Sequence, residues 1–198
     1  IFIGYRYYQT FDKAVAYPFG YGLSYATFAY HNLSVSLEDK NLLIEVEVEN
    51  TSTVSAEDVI QIYVRFPDAN FMREKYRLIG FDKLALGGGE IQKLRLSVPI
   101  KNIKSFWQET GKWVLANGTY TIVLGRYAGD ACLTQDIILT GDELNWNQRN
   151  YLPSYFADPW QVDQDSFRRL YGQELSTFDT LSAPHFSRRN TLNQLAKA

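Results

Sequence analysis

Hydrophobic residues between positions 27 and 140 recur at every second position, a pattern typical of β-strands with one buried face. In the clearest case, three glutamates and a leucine alternate with a set of apolar residues, namely Leu42, Ile44, Val46 and Val48. The alternation returns at residues 33–37, 60–66, 94–98, 120–124 and 133–139, and residues 77–86 form a further extended segment. About seven short strands are therefore predicted, with loops between them.

Two details of this region carry specific predictions. In the segment 60–66, the apolar residues Ile60, Ile62, Val64 and Phe66 alternate with Gln61, Tyr63 and Arg65. Before the segment 120–124, the pair Asn117-Gly118 predicts a tight hairpin turn, because both residue types readily adopt positive φ angles. Since no helical periodicity interrupts the region, the fold class is expected to be all-β, an antiparallel β-sandwich of the immunoglobulin-like class.

The segment before the sandwich combines aromatic residues with two glycines behind a proline. Its sequence is Tyr17-Pro18-Phe19-Gly20-Tyr21-Gly22-Leu23-Ser24-Tyr25. Glycine permits close approaches of the backbone to aromatic rings, so an irregular path is expected here. Further upstream, the run Ile1-Phe2-Ile3-Gly4 predicts the end of a buried strand, and its abrupt start is expected of a piece of a longer protein.

Residues 141–198 lose the alternation and are rich in polar residues, prolines and aromatics. They are expected to form an extended arm that lies across another surface. Within the arm, Asp163 as N-cap and Gly172 as stop signal predict a short helix. A second short helix is expected from about Asn190.

Composition narrows the function classes. The formal net charge of −2 gives no electrostatic basis for binding nucleic acid or an anionic membrane surface. No apolar run approaches the roughly 20 residues that span a bilayer. The single cysteine, Cys132, excludes an internal disulfide and is expected to be a small buried hydrophobe. No cofactor is expected, and a cytoplasmic location is favoured over secretion.

Several segments resemble family 3 glycoside hydrolases, the β-glucosidases and their relatives. The aromatic segment 17–25 resembles the connector that leads into the C-terminal fibronectin type III-like domain of these enzymes. Residues 4–8, 59–64, 78–90 and 106–125 are similar to further motifs of the family, in the family's order. The tail, including residues 186–192, resembles an extension of some bacterial members, so a bacterial source is expected. The chain departs from the family's usual residues at Gln9, Ala26 and Gly88.

The resemblance implies three regions. Residues 1–26 are expected to be a connector from a preceding α/β domain, residues 27–140 the fibronectin type III-like sandwich, and residues 141–198 the arm. The family removes terminal sugars by a retaining double displacement that requires two carboxyl groups. No motif of this chain matches either carboxyl group, so no catalytic residue is assigned and the chain by itself is not expected to be catalytic.

The expected role is a structural module that packs on the catalytic domains of the same chain and stabilises them. Two alternatives remain open: a carbohydrate-binding or attachment module, and an arm that mediates a homodimer contact. The candidates for an interdomain or sugar contact are Arg6, Arg73, Trp107, Trp113, Trp146 and Trp160. Arginine suits hydrogen bonds to carbonyls across a domain seam, and indole rings suit either core packing or pyranose faces.

Other potentially reactive side chains are expected to have structural roles. The carboxylates in question are Glu57, Asp58, Asp158, Asp163 and Asp165, which lie beside a strand start or at turns and caps. His31 and His185 lack serine or cysteine companions at the spacing that a catalytic triad requires.

Overall fold

A computed structural model describes residues 2–107, 110–144, 147–157 and 159–172. Its strands are β1 (Phe28–Glu38), β2 (Asn41–Asn50), β3 (Ala56–Arg65), β4 (Tyr76–Leu86), β5 (Ile91–Pro99), β6 (Ser105–Trp107), β7 (Lys112–Val114), β8 (Gly118–Gly125) and β9 (Leu133–Leu139). Its helices are α1 (Tyr5–Thr10), α2 (Gln148–Tyr151), α3 (Ser154–Ala157) and α4 (Gln164–Tyr171), with 3-10 turns at Ile100–Ile103 and Pro159–Gln161. Residues up to Arg149 form one compact unit, and residues from Asn150 belong to a second.

Two antiparallel sheets form the sandwich, with strand orders β1-β2-β5 and β4-β3-β8-β9, while β6 and β7 form a separate hairpin. The predicted inward residues fill the space between the sheets, and the fully buried ones include Leu42, Ile44, Val46, Val48, Ile60, Ile62, Val64, Tyr120, Ile122 and Leu124. Burying each aliphatic side chain of this kind contributes roughly 1.5–3 kcal/mol. The predicted β-sandwich is confirmed.

The predicted strand end at the N-terminus was wrong. Ile3 is exposed, and helix α1 begins two residues later, after Gly4 at φ +59°. The carbonyl of Gly4 accepts a hydrogen bond from the backbone N–H of Tyr7 at 3.1 Å, which closes the first helical turn. A short apolar run without a turn signal on both sides does not distinguish a strand from a helix entrance.

The predicted hairpin at Asn117-Gly118 was also wrong. Strand β7 pairs with β6, whereas β8 pairs with β3 and β9. Instead, the backbone of Leu115 and Asn117 bonds to the backbone of Asp142, with Asp142 N–H to Leu115 O at 2.6 Å and Asn117 N–H to Asp142 O at 3.1 Å. This non-local pairing replaces a local turn, and of the two residues only Gly118 has a positive φ, at +147°.

The second unit contains the helix predicted between Asp163 and Gly172, which is confirmed as α4. The Asp163 carboxylate accepts hydrogen bonds from the backbone N–H of Ser166 at 2.7 Å and from its hydroxyl at 2.8 Å, and these bonds hold the pKa of Asp163 below its ordinary value. Gly172 ends the helix in the left-handed region at φ +71°. None of the helices in the described part of the chain is both long and apolar enough to cross a membrane.

Several predictions fall on residues outside the described ranges. They concern the second helix from about Asn190, the motif at 186–192, Asp158, His185 and Trp146.

Candidate functional site

The side chain of Gln61 binds the connector, residues 1–26, to the outer face of the four-stranded sheet. This amide donates to the carbonyl of Arg126 at 2.5 Å and of Gly20 at 3.3 Å, and it accepts from the hydroxyl of Tyr63 at 2.6 Å. Gln61 is only 5% exposed, and Tyr63 is also buried, although both alternate with inward-facing residues of β3. The sheet is therefore covered on both faces at this point. The buried polar groups of Gln61 and Tyr63 are hydrogen-bonded, as buried polar groups usually are.

Aromatic contacts extend this attachment. The ring of Tyr5 in α1 stacks on Phe19 at a centroid distance of 4.9 Å and meets the edge of Tyr63 at 6.0 Å. The Tyr5 hydroxyl accepts a hydrogen bond from the backbone N–H of Leu78 at 2.9 Å, and the Phe19 carbonyl accepts one from Ala128 at 2.8 Å. Burial, with a smaller contribution from the nearby Tyr5, raises the pKa of Tyr63.

Five apolar side chains of the connector are exposed. They are Tyr17, Phe19, Tyr21, Leu23 and Tyr25, called here the connector strip. Of these, Phe19 and Tyr21 also contact the rings of Tyr5 and Tyr127. Leu23 is 90% exposed and Tyr17 is 78% exposed, and Tyr25 has no measurable burial. Single exposed apolar residues are ordinary, whereas contiguous exposed apolar patches are often interaction sites. The strip places five such residues within nine positions.

Arg6 and Arg73 lie around a buried carboxylate, that of Glu74. Arg77 donates to Glu74 Oε1 from its Nε at 2.6 Å, and Nη1 of Arg6 lies 3.9 Å from the same oxygen. The guanidinium of Arg73 donates to the carbonyl of Pro67, and its Cζ lies 4.8 Å from the ring centroids of both Phe66 and Phe71. Burial lowers the pKa of Arg73. The guanidinium of Arg73 is therefore hydrogen-bonded within the first unit, whereas the Arg6 side chain is 40% exposed.

The described tryptophans have different environments. Trp107 is 7% exposed and meets the ring of Phe71 edge-on at 5.4 Å, which makes it a core residue. Trp113 is 61% exposed and meets Phe106, its cross-strand partner, at 5.7 Å. Adjacent residues of a strand point to opposite faces. Phe106 therefore belongs to an exposed aromatic pair with Trp113, whereas Trp107 belongs to a buried pair with Phe71. Trp160, in the second unit, is exposed.

The remaining polar candidates make local contacts. Asp58 accepts a hydrogen bond from the Tyr30 hydroxyl at 2.6 Å, and Glu57 pairs with Lys83. The thiol of Cys132 is half-buried and lies 3.2 Å from the Asp130 carboxylate; burial, followed by this carboxylate, raises the pKa of Cys132 to about 11. No group of three or more histidine, cysteine or acidic side chains in the described part of the chain could hold a metal ion.

Sequence reasoning missed Gln61, Glu74 and Phe106 as residues that organise this surface. The local signal for Glu74 was its position as an acidic residue between two basic ones, Arg73 and Arg77, either of which could pair with it. Phe106 could have been found from the pairing of two short aromatic segments across a hairpin. No local signal marks Gln61.

Comparison with known proteins identifies the fold. Residues 58–128 match the fibronectin type III-like domain. An exo-α-(1→6)-L-arabinopyranosidase of Bifidobacterium breve is 36% identical over 143 residues, which are 72% of this chain and 19% of that protein. The family 3 β-glucosidase of Bifidobacterium adolescentis has a TM-score of 0.69 at 34% identity, over 80% of this chain and 24% of that one. The β-glucosidase of Kluyveromyces marxianus has a TM-score of 0.68 at 34% identity, over 74% of this chain and 18% of that one.

The chain thus spans about a fifth of the length of these relatives. They come from both bacteria and yeast, so the expected bacterial source is not established by them. The shared motifs, the sandwich and the matched segment agree: the chain carries a fibronectin type III-like domain that matches the C-terminal region of family 3 β-glucosidases and arabinopyranosidases.

Proposed function

We propose that this chain is a non-catalytic module that packs on the catalytic domains of a family 3 enzyme and stabilises them, with the connector strip as the contact surface. The parent enzyme hydrolyses terminal O-glycosidic bonds in the manner of β-glucosidases. The observation that carries the proposal is the exposure of the strip in a segment whose backbone is hydrogen-bonded to the sandwich at Phe19 and Gly20.

The length of the relatives supports the choice of partner. Because the chain matches only about a fifth of each relative, most of such an enzyme lies outside it and is available to cover the strip. An interface of this kind is usually built around a few large apolar or aromatic anchors. Leu23 and Tyr25 are the most exposed members of the strip and fit that role.

The test compares one double substitution in two proteins. Leu23→Ser with Tyr25→Ser should lower the free energy of unfolding of the parent enzyme by about 3–6 kcal/mol, because each side chain loses burial worth roughly 1.5–3 kcal/mol. The same change should move the stability of the 198-residue chain by less than about 0.5 kcal/mol, since both residues are exposed there. Urea unfolding measures both values.

Phe81→Ser is the matched control, because Phe81 is an exposed aromatic residue of β4 outside the strip. It should leave the parent unchanged. Equal stability of the double variant and the unsubstituted parent would contradict the proposal. Sedimentation of the 198-residue chain provides a second check: a dimer that Leu23→Ser dissociates would assign the strip to self-association instead.

A further inference from the structure

A groove of about 720 Å³ opens between α1, the start of β4, the 3-10 turn Ile100–Ile103 and the β6–β7 hairpin. Its lining includes Arg6, Glu74, Arg77, Lys101, Phe106 and Trp113. None of these residues belongs to the connector strip, so the groove is a separate feature of the surface. Its size is within the range of roughly 300–1,000 Å³ that is common for small-molecule binding sites.

One wall of the groove is aromatic. Phe106 and Trp113 lie directly opposite each other in the β6–β7 register, at 5.7 Å and with 67° between their planes. Both rings are more than half exposed, so their apolar surface is in contact with solvent. The electron-rich face of an indole ring suits the C–H face of a pyranose.

The other wall is cationic. Among the described residues that line the groove, four are basic, namely Arg6, Arg73, Arg77 and Lys101, and one, Glu74, is acidic. This local excess of positive charge contrasts with the net charge of −2 of the whole chain. A concave site lined by one sign of charge concentrates ligands of the opposite sign.

Two of these cations remain available to a ligand. Arg77 is held by Glu74 at 2.6 Å and by the carbonyls of Asn102 at 2.9 Å and Lys104 at 2.7 Å. Arg6 is partly exposed and touches Glu74 only at 3.9 Å, and Lys101 is exposed. A guanidinium group binds a carboxylate with two parallel hydrogen bonds, a geometry that neutral hydroxyl groups do not match.

We propose that this groove binds an acidic pyranose, a hexuronate unit of a polysaccharide. The sugar ring lies against Trp113 and Phe106, and the carboxylate faces Arg6 and Lys101. Neutral glucan units lack the group that would use the cationic wall, so the site discriminates by charge. The proposal is independent of the packing role of the connector strip.

The test is a titration of the 198-residue chain with trigalacturonate, followed by tryptophan fluorescence and calorimetry. Cellotriose serves as the neutral oligosaccharide of equal length, and citrate as a carboxylate without a sugar ring. Saturable binding of trigalacturonate at least tenfold tighter than that of either control is expected, and it should weaken with added salt. Absence of saturable binding at millimolar trigalacturonate would overturn the proposal, as would equal affinity for cellotriose or citrate.

Four variants locate the site. Trp113→Ala should weaken trigalacturonate binding about tenfold, as truncation of an aromatic anchor commonly does. Lys101→Gln should weaken it severalfold and reduce its salt dependence, while Phe81→Ala should leave it unchanged. Because Trp113 and Lys101 are exposed, Trp113→Ala and Lys101→Gln should keep the urea midpoint of the unsubstituted 198-residue chain. Unchanged affinity in both Trp113→Ala and Phe106→Ala would exclude the groove as the binding site.

Discussion

Gly20→Ala tests how the connector is held on the sandwich. Gly20 has φ +83°, and a Cβ at this position would lie 2.5 Å from Nε2 and 2.8 Å from Cδ of Gln61. Alanine therefore meets two obstacles at once: a backbone conformation that L-residues avoid, and a buried amide that occupies the space. Gln61 is a flexible side chain in principle, but here its amide makes three hydrogen bonds.

The two obstacles have separable magnitudes. The left-handed backbone costs roughly 1–2 kcal/mol for a residue with a Cβ. Displacing the Gln61 amide leaves buried polar groups without partners, at roughly 1–3 kcal/mol. The expected loss in the attachment of the connector is therefore about 2–5 kcal/mol.

Two other glycines provide matched controls. At Gly89, φ is +75° but no atom lies within 4 Å of the added Cβ, so Gly89→Ala isolates the backbone cost of about 1–2 kcal/mol. At Gly22, φ lies outside the left-handed region and no atom lies within 4 Å, so Gly22→Ala should be neutral or stabilising by up to about 1 kcal/mol.

Hydrogen exchange and urea unfolding of the 198-residue chain measure the effect. The amide of Ala128, which donates to the Phe19 carbonyl at 2.8 Å, reports connector release directly. In Gly20→Ala, hydrogen exchange of the Ala128 amide should accelerate by the factor that corresponds to the expected loss of about 2–5 kcal/mol in connector attachment. Amides of β2 in the core should exchange at their original rates. Protection of Ala128 equal to that in Gly22→Ala would refute the reasoning.

Two further predictions concern single side chains. Trp107→Ala should lower the free energy of unfolding by about 3–5 kcal/mol, because it opens a cavity beside Phe71. Trp113→Ala should change the free energy of unfolding by less than about 0.5 kcal/mol, because Trp113 is exposed. Equal urea midpoints for the two variants would contradict the assignment of Trp107 to the core. Because the pKa of Cys132 is raised to about 11, its alkylation by iodoacetamide at pH 8 should be about two hundredfold slower than in the urea-unfolded chain. Asp130→Asn should accelerate that reaction, since it removes a carboxylate that raises the pKa, and a folded-state rate close to the unfolded one would exclude the raised pKa.

The strands and helix α4 were predictable because their signals are local. Alternation over residues 42–48 marks one buried face, and a capping aspartate with a terminal glycine marks both ends of a short helix. Each signal depends on contacts within a few residues, and the structure adds nothing that opposes it.

The candidate site was less predictable because it depends on contacts between distant segments. Gln61 alternates with inward-facing residues of β3, yet it is buried by a connector 41 residues earlier in the chain. Trp107 and Trp113 are the same residue type six positions apart, and only the register of the β6–β7 hairpin makes one buried and the other exposed. Neither strand length nor hydrophobicity encodes these outcomes.

The connector combines a backbone that is fixed by hydrogen bonds with apolar side chains that are exposed. Hydrogen bonds from Gln61 and Ala128 fix the backbone near Gly20, while the exposed rings remain available for another surface. Ordering a backbone residue costs roughly 1–2 kcal/mol, so a strip already fixed by the sandwich enters an interface without that cost. If the strip packs on the catalytic domains as proposed, loosening the connector and truncating its apolar side chains act on the same equilibrium. Gly20→Ala combined with Leu23→Ser should therefore destabilise the parent by less than the two separate losses together, whereas strict additivity would indicate that the attachment and the strip act independently.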